Sequence, residues 1–256
     1  MAEFQTVRRT GVGARTAQID EGLRAHMNKV YATMSVGLVI TALAAWAVSG
    51  LAVSTEPSQY MLAEGKYLTA FGAAIYASPL KWLVMFAPLL FVFGMSAGIN
   101  RMSAATAQTV FYAFAAVMGL SISSIFLVFT GLSIVQVFLV TAISFAALSL
   151  WGYTTQRDIS GWGSFLFMGL VGIIVAAIVN IFLGSPALMF AVSVLGVLIF
   201  AGLTAYDTQR LKSEYLQLAG QGGDYLGKAA ILGALSLYLN FINMFMMLLS
   251  LFGNRE

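Results

Sequence analysis

The chain has 256 residues, of which 60% are hydrophobic and only 9% are charged, and its mean hydropathy is +0.88. A soluble domain carries about 25% charged residues, because its surface needs a polar shell that this chain cannot supply. The same composition excludes a disordered chain and a nucleic-acid-binding protein. With no cysteine, the chain also has no disulfide, no thiolate nucleophile and no cysteine metal site. We therefore predict a polytopic membrane protein.

Five uncharged stretches follow a charged N-terminal segment. They cover residues 30–55, 82–100, 102–156, 159–206 and 229–254. A spanning helix needs about 20 apolar residues, so the third and fourth stretches are long enough for two spans each. Turn-forming residues divide them at 130–133 (Thr-Gly-Leu-Ser) and at 184–186 (Gly-Ser-Pro). The sequence thus predicts seven spanning helices, near residues 30–53, 80–100, 106–129, 133–153, 162–183, 186–208 and 229–252.

The predicted fold class is an all-α bundle, because backbone polar groups have no water partner in lipid and the alternation typical of a membrane barrel is absent. Residues 1–28 form a basic tail without the features of a cleaved signal, and residues 29–256 form the transmembrane domain. Ile19, Leu23, Met27 and Tyr31 recur at helical spacing. This predicts an amphipathic lead-in helix that lies on the lipid headgroups or, alternatively, binds a partner. The segment between the last two spans, around residues 214–224, is predicted to be a flexible surface loop.

Positive residues concentrate on one side of the predicted bundle. Five precede the first span, and five more lie in connections on the same side: Arg101, Arg157, Arg210, Lys212 and Lys228. The opposite side has three: Lys66, Lys81 and Arg255. Because Lys and Arg favour cytoplasmic loops, the N-terminus is predicted in the cytoplasm and, after seven spans, the C-terminus outside.

Motifs for catalysis are nearly absent. The single histidine, His26, lies in the tail, which leaves no Ser–His protease and no zinc-binding His pair. Intramembrane aspartyl proteases pair a Tyr-Asp with a Gly-x-Gly-Asp, and this chain has Tyr206-Asp207 and a Gln-Gly-Gly-Asp that ends at Asp224. The second motif lacks its first glycine and lies in a polar connection, whereas the chemistry needs two carboxylates that share one proton. We expect neither enzymatic activity nor a cofactor.

Asp207 is the only acidic residue within an apolar span, and Arg101 closes the second span. A carboxylate near the bilayer interior costs on the order of 2.5–3.5 kcal/mol on insertion scales and often marks an ion or proton pathway. The alternative is an interfacial helix end. Asp207 lies about 30 Å along its helix from Pro186, near the cytoplasmic edge, where Arg210 follows at i+3. The position alone leaves both interpretations open.

Two motifs carry a family resemblance. Tyr206-Asp207-Thr208-Gln209, followed by Ala-Leu-Ser-Leu-Tyr-Leu-Asn-Phe-Ile-Asn at 234–243, resembles the signature of the Bax inhibitor-1 family (transmembrane Bax inhibitor motif proteins). Ile-Asp-Glu-Gly-Leu-Arg at 19–24 is similar to its bacterial branch, and the resemblance extends from there over nearly the whole chain. It implies a seven-helix bundle with the last helix at the centre, in a bacterial inner membrane.

The implied function is a pH-modulated passive calcium or cation leak that is linked to stress protection. The implied alternative is a non-conducting regulator that binds and modulates a membrane-bound quality-control protease. Expected partners are therefore the lipid bilayer, calcium ions and, in the alternative, that protease. Calcium takes about six to eight oxygen ligands, so Asp207 could offer a permeating ion a transient site and not a tight one.

The resemblance also implies a pH sensor of two proton-sharing aspartates, on the sixth and seventh helices, and an arginine at the end of the second helix that can pair with the sixth-helix carboxylate. Such a pair would keep the bundle closed, and protonation of the aspartate would release the arginine. Asp207 matches the first aspartate and Arg101 the arginine, whereas Asn240 stands where the second aspartate is expected. Two neighbouring carboxylates retain one proton through charge repulsion, and an amide supplies no such charge. We therefore expect any pH gate to be weakened or shifted to more acidic pH.

Overall fold

The structure is a computed structural model that describes residues 3–63, 66–220 and 222–255, with side chains from Ile19 onward except at residues 63 and 100. Within these residues, seven stretches of helix are long and apolar enough to cross a membrane, which confirms the predicted fold class. The long helices are α1 (Glu3–Ala52), α2 (Leu80–Gly98), α3 (Ala104–Ile122), α4 (Gly131–Thr154), α5 (Trp162–Leu183), α6 (Pro186–Leu218) and α7 (Gly223–Phe252). A short helix, Ile125–Val128, extends the third span.

Both predicted turns between spans are present and are stabilised by helix caps. Thr130 accepts a hydrogen bond from the Ser133 N–H at the start of α4. Gly184 ends α5 in the left-handed region, with φ of 59°. Glycine adopts this backbone conformation without steric strain, because it has no Cβ atom. Ser185 then caps α6, and Pro186 occupies the first turn of that helix, where its missing N–H costs no hydrogen bond.

The last helix, α7, lies at the centre of the bundle. In its most apolar stretch 67% of the residues are buried, compared with 11% in α2. It packs against α1, α3, α4 and α6, while α2 packs on α3 and α5 on α6. Tyr238 is fully buried, and the rings of Phe111 and Phe114 meet it edge-on, each with centroids 5.6 Å away. The central position of the last helix agrees with what the family resemblance implied.

The lead-in segment is continuous with the first span in α1. Leu23 and Met27 are buried in the core of the bundle. His26 lies against Tyr215 of α6, with ring centroids 5.1 Å apart, and Gly22 approaches the same tyrosine. This face therefore packs against protein, and the predicted placement on the lipid headgroups is wrong.

The physical reason is that α6 is longer than predicted and provides the packing surface. It continues to Leu218, past the predicted end near residue 208, and α7 begins at Gly223. Residues 209–218 contain no glycine or proline, and Leu211 and Tyr215 are buried. Lys212 donates a hydrogen bond to the carbonyl of Tyr153 in α4 at 3.0 Å. Most of the predicted flexible loop is thus helix, and that prediction is wrong.

Three short strands, which the sequence analysis did not predict, lie between α1 and α2. They are β1 (Val53–Ser54), β2 (Met61–Ala63) and β3 (Lys66–Leu68). They form an antiparallel sheet in the order β1-β3-β2, and two helical turns over residues 70–77 follow. This small sheet covers the end of the bundle opposite the N-terminal side.

Candidate functional site

A buried carboxylate joins α6 to the central helix. Asp207 is 4% exposed, and its Oδ2 accepts hydrogen bonds from Ser236 Oγ at 2.7 Å and Asn240 Nδ2 at 2.8 Å. Its Oδ1 forms an ion pair with Arg210 Nη2 at 3.0 Å. We call these four residues the Asp207 cluster. No other carboxylate in the described part of the chain is buried.

Helical spacing accounts for the assembly of the Asp207 cluster. Ser236 and Asn240 are four residues apart and share one face of α7, while Asp207 and Arg210 are three apart on α6. The Arg210 guanidinium lies 3.4 Å from Ser236 Oγ and is 48% exposed. Hydrogen bonds to a charged group contribute about 1.5–3 kcal/mol. Solvent screens the Arg210 contact, so its share is smaller than that of the two buried donors.

The residues that flank Asp207 fix the position of α6 against other helices. Tyr206 packs over Gly163 of α5, where a Cβ atom would lie 2.6 Å from the tyrosine hydroxyl. Thr208 Oγ1 lies 2.9 Å from Ser149 Oγ in α4. Successive side chains project in different directions around a helix of 3.6 residues per turn. The same turn of α6 therefore contacts α4, α5 and α7.

Gln209 completes this turn by binding the connection between α4 and α5. Its Oε1 accepts a hydrogen bond from the Ile159 N–H at 2.9 Å, and its Nε2 donates to the Arg157 carbonyl at 2.8 Å. The four residues at 206–209 thus connect α6 to four other segments: α4, α5, α7 and the connection between α4 and α5. Movement of α6 would disturb all of these contacts together.

Arg101 does not reach the Asp207 cluster in this structure. It ends a short 3₁₀ turn (Ile99–Arg101) after α2, its side chain is exposed, and the described contacts include no ion pair for it. The resemblance had implied that Arg101 pairs with Asp207. In the structure the guanidinium beside Asp207 belongs to Arg210, which the sequence analysis had considered only as a partner at an interfacial helix end.

Sequence reasoning also missed Ser236. The signal was present, because Ser236 stands four residues before Asn240, within the motif that carried the resemblance. A serine hydroxyl in an apolar helix needs a hydrogen-bond partner, and one on the same face as Asn240 can reach the same carboxylate.

A family model described as "Inhibitor of apoptosis-promoting Bax1" matches residues 23–256, nearly the whole chain. The chain belongs to the Bax inhibitor-1 family. It is 45% identical to the inner membrane protein YbhL of Escherichia coli over 92% of this chain and 94% of the relative. A Caulobacter vibrioides protein is 44% identical over 93% and 92% of the two chains. A membrane protein of Streptococcus pyogenes is 33% identical over 93% and 96%. These three relatives come from bacteria.

In this member of the Bax inhibitor-1 family, the position expected to hold a second aspartate donates a hydrogen bond. Asn240 is 5% exposed and lies beside Asp207. Its amide N–H donates to the carboxylate, whereas an ionised second carboxylate would have no hydrogen to donate. The Asp207 cluster is therefore a single carboxylate surrounded by donors.

The other candidate carboxylate, Asp224, has a different environment. Its side chain accepts a hydrogen bond from the Ala104 N–H at the start of α3 and pairs with Lys228 at 3.0 Å. It precedes Ser236 by twelve residues on α7, a distance of about 18 Å along the helix. Asp207 and Asp224 therefore cannot share a proton, and the carboxylate pair of an aspartyl protease is not formed. Among the described residues, no three acidic or histidine side chains are grouped to hold a metal ion.

Proposed function

We propose that this Bax inhibitor-1 family member is a passive calcium or cation leak of the bacterial inner membrane, modulated by pH and linked to stress protection. The observation that carries this proposal is the burial of Asp207 between α6 and the central helix, with its charge balanced by Arg210. The Escherichia coli relative, named an inner membrane protein, supports the location. The proposal requires no catalytic residue and no cofactor.

The Asp207 cluster acts as a latch between α6 and α7. While Asp207 is ionised, it accepts hydrogen bonds from Ser236 and Asn240 and attracts Arg210. A proton removes the charge, ends the ion pair and weakens both hydrogen bonds, because charged acceptors bind donors more strongly. The closed bundle is thus favoured at higher pH, and the open bundle is favoured as the pH falls.

The size of this effect suits modulation better than complete gating. Losing charged hydrogen bonds worth about 1.5–3 kcal/mol would shift a two-state population about tenfold or more. A change from almost fully closed to almost fully open needs about 5.5 kcal/mol. We therefore expect a basal leak at neutral pH that increases under acid, without a sharp threshold.

The ligands near Asp207 favour passage of calcium over storage. Calcium takes about six to eight oxygen ligands. The Asp207 cluster supplies one carboxylate, one hydroxyl and one amide, so water must provide the remainder. Any calcium contact at Asp207 is therefore brief, as a permeating ion requires.

Flux into proteoliposomes tests the proposal directly. Calcium entry is measured between pH 5 and pH 8 for the wild type and Asp207→Asn, with Asp158→Asn as the control. Asp158 is exposed between α4 and α5, and a hydrogen bond from the Ser160 N–H holds its pKa below the usual range, so its charge is constant over these pH values.

We expect wild-type flux to rise toward pH 5, Asp207→Asn to flatten the profile, and Asp158→Asn to follow the wild type. Flux equal to that of empty liposomes at every pH would overturn the leak. The same absence of flux would favour the alternative, a non-conducting regulator of a membrane-bound protease.

A further inference from the structure

A groove of about 840 Å³ opens on the side of the bundle between α1 and α4. Phe241 of the central helix forms its floor, and Met34, Leu38, Phe138 and Phe145 line its walls. Ligand pockets in proteins have volumes of about 300–1,000 Å³ and are mostly apolar. The size and the lining of this groove therefore match those of a binding site for an apolar molecule.

The groove lies within the membrane-spanning part of the bundle. Along α1 its lining runs from Arg24 to Leu43, which is about 28 Å at 1.5 Å per residue. The hydrocarbon core of a bilayer is about 30 Å thick. Val39, Leu43 and Leu150 line the groove and are more than half exposed, so its mouth opens toward acyl chains.

A hydrogen bond holds the two walls of the groove together. Tyr31 of α1 and Ser149 of α4 meet at 2.6 Å between their hydroxyl oxygens. Ser149 in turn bonds Thr208, the neighbour of Asp207 on α6. The walls of the groove are thus connected to the turn of α6 that carries Asp207.

Positive charge marks the end of the groove on the N-terminal side. Arg24 and Asn28 line this end, and no carboxylate lines the groove within the described residues. Lys212 does not line the groove itself, but its ammonium lies 5.2 Å from the ring centroid of Tyr153, another lining residue. An apolar channel with a cationic end complements one acyl chain and the phosphate of an anionic lipid.

We propose that an anionic phospholipid occupies this groove, with its phosphate at Arg24 and Lys212 and one acyl chain over Phe241 between α1 and α4. The chain would fill the space that protein side chains leave open beside the central helix. This inference does not depend on ion conduction. It assigns a specific lipid to one face of the bundle, beyond the general contact of every spanning helix with the bilayer.

Native mass spectrometry of the full chain in detergent tests the proposal, with dioleoyl phosphatidylglycerol and dioleoyl phosphatidylcholine as probes. Ala146→Phe places a ring in the groove, and Ala147→Phe makes the same change at the next residue of α4, which is also exposed but does not line the groove. We expect the wild type to retain phosphatidylglycerol in preference to phosphatidylcholine. Ala146→Phe should reduce retention at least fivefold, and Ala147→Phe should leave it unchanged.

Two further comparisons test the same groove with other variants, so that the conclusion does not depend on whether Ala146→Phe folds. Ala42→Phe fills the groove from α1, with exposed Ala47→Phe as its control, and should reproduce the effect. Arg24→Ala should reduce the preference for phosphatidylglycerol about fivefold, the effect of one cation at an anionic surface, whereas Arg157→Ala should not. Equal retention of both lipids by the wild type, equal effects of Ala146→Phe and Ala147→Phe, or a second protein copy in place of lipid would overturn the proposal.

Discussion

Asn240 Nδ2 donates a hydrogen bond to Asp207 Oδ2 over 2.8 Å, and so joins the central helix α7 to α6. The same oxygen accepts a bond from Ser236, and Arg210 lies against the other carboxylate oxygen. Two of these neighbours donate hydrogen bonds to the carboxylate, and the third carries positive charge. An aspartate at position 240 would place a second carboxylate beside Asp207 in place of the Asn240 donor.

The first prediction follows from this geometry. Asn240→Asp should shift the midpoint of pH-dependent calcium flux to higher pH, by about one unit or more, because two adjacent carboxylates retain one proton. The protonated, open form then persists at a pH where the wild type has closed. Titration of flux in proteoliposomes between pH 5 and 9 measures the midpoint.

Asn243→Asp is the matched control for this titration. It adds a carboxylate to the same helix, at a residue whose side chain donates to the Leu239 carbonyl and not to Asp207. The curve of calcium flux against pH for Asn243→Asp should stay close to that of the wild type. Coincident curves for wild type and Asn240→Asp would show that position 240 has no part in pH sensing.

The second prediction separates Arg210 from Arg101. Arg210 pairs with Asp207 at 3.0 Å, whereas Arg101 is exposed and forms no described ion pair with the Asp207 cluster. Arg210→Ala should therefore raise calcium flux at pH 8 more than Arg101→Ala does. A two- to fivefold rise is expected, since a half-exposed ion pair contributes about 0.2–1 kcal/mol. A larger effect of Arg101→Ala would favour the pairing that the resemblance implied.

Arg101 and Arg210 illustrate which features could be predicted from the sequence and which could not. Uncharged stretches and turn residues located seven spans, since lipid excludes charge and the turns use glycine, serine and proline for local reasons. Asp207 was identifiable because it alone interrupts an apolar span. Which arginine approaches Asp207 depends on the packing of α2, α6 and α7, and spacing along the chain does not determine it.

Two other features of the structure, the length of α6 and the groove between α1 and α4, were not predicted from the sequence. The extension of α6 to Leu218 is stabilised by packing of Tyr215 against His26 and Gly22 of α1, in the segment that was predicted to lie on the lipid headgroups. Residues 209–218 are mostly good helix formers, so a local signal for this extension was present, but the prediction ended the helix where the apolar stretch ends. The groove between α1 and α4 exists only once both helices pack beside α7.

The third prediction concerns helix packing. Gly152 of α4 faces the backbone of α6, where a Cβ atom would lie 2.9 Å from Ala205 Cα. Because backbone cannot move aside as a side chain can, Gly152→Ala should lower the free energy of unfolding by about 1–3 kcal/mol. Gly172 on α5 has open space around it, so Gly172→Ala should be neutral or slightly stabilising. Thermal unfolding in detergent compares them, and equal melting temperatures would contradict the close approach.

The fourth prediction tests the orientation in the membrane. The chain has no cysteine, so single cysteines can be introduced without background labelling. Gln59 is exposed beside the small sheet, and Gln156 is exposed between α4 and α5 at the opposite end. If the N-terminus is cytoplasmic, a membrane-impermeant maleimide should label Gln59→Cys in spheroplasts, and Gln156→Cys only after permeabilisation. The reverse pattern would invert the topology.

The fifth prediction separates conduction from regulation of a protein partner. The first buried side chain in the described part of α1 is Leu23, so deletion of residues 1–18 removes none of the described core. The truncated protein should therefore retain its melting temperature, its calcium flux and its pH profile. Any effect on a membrane-bound protease that depends on the tail should disappear, as measured by the turnover of that protease's substrates in cells. If truncation abolished flux while the melting temperature stayed unchanged, the tail would be part of the conduction mechanism, and a latch confined to α6 and α7 would be insufficient.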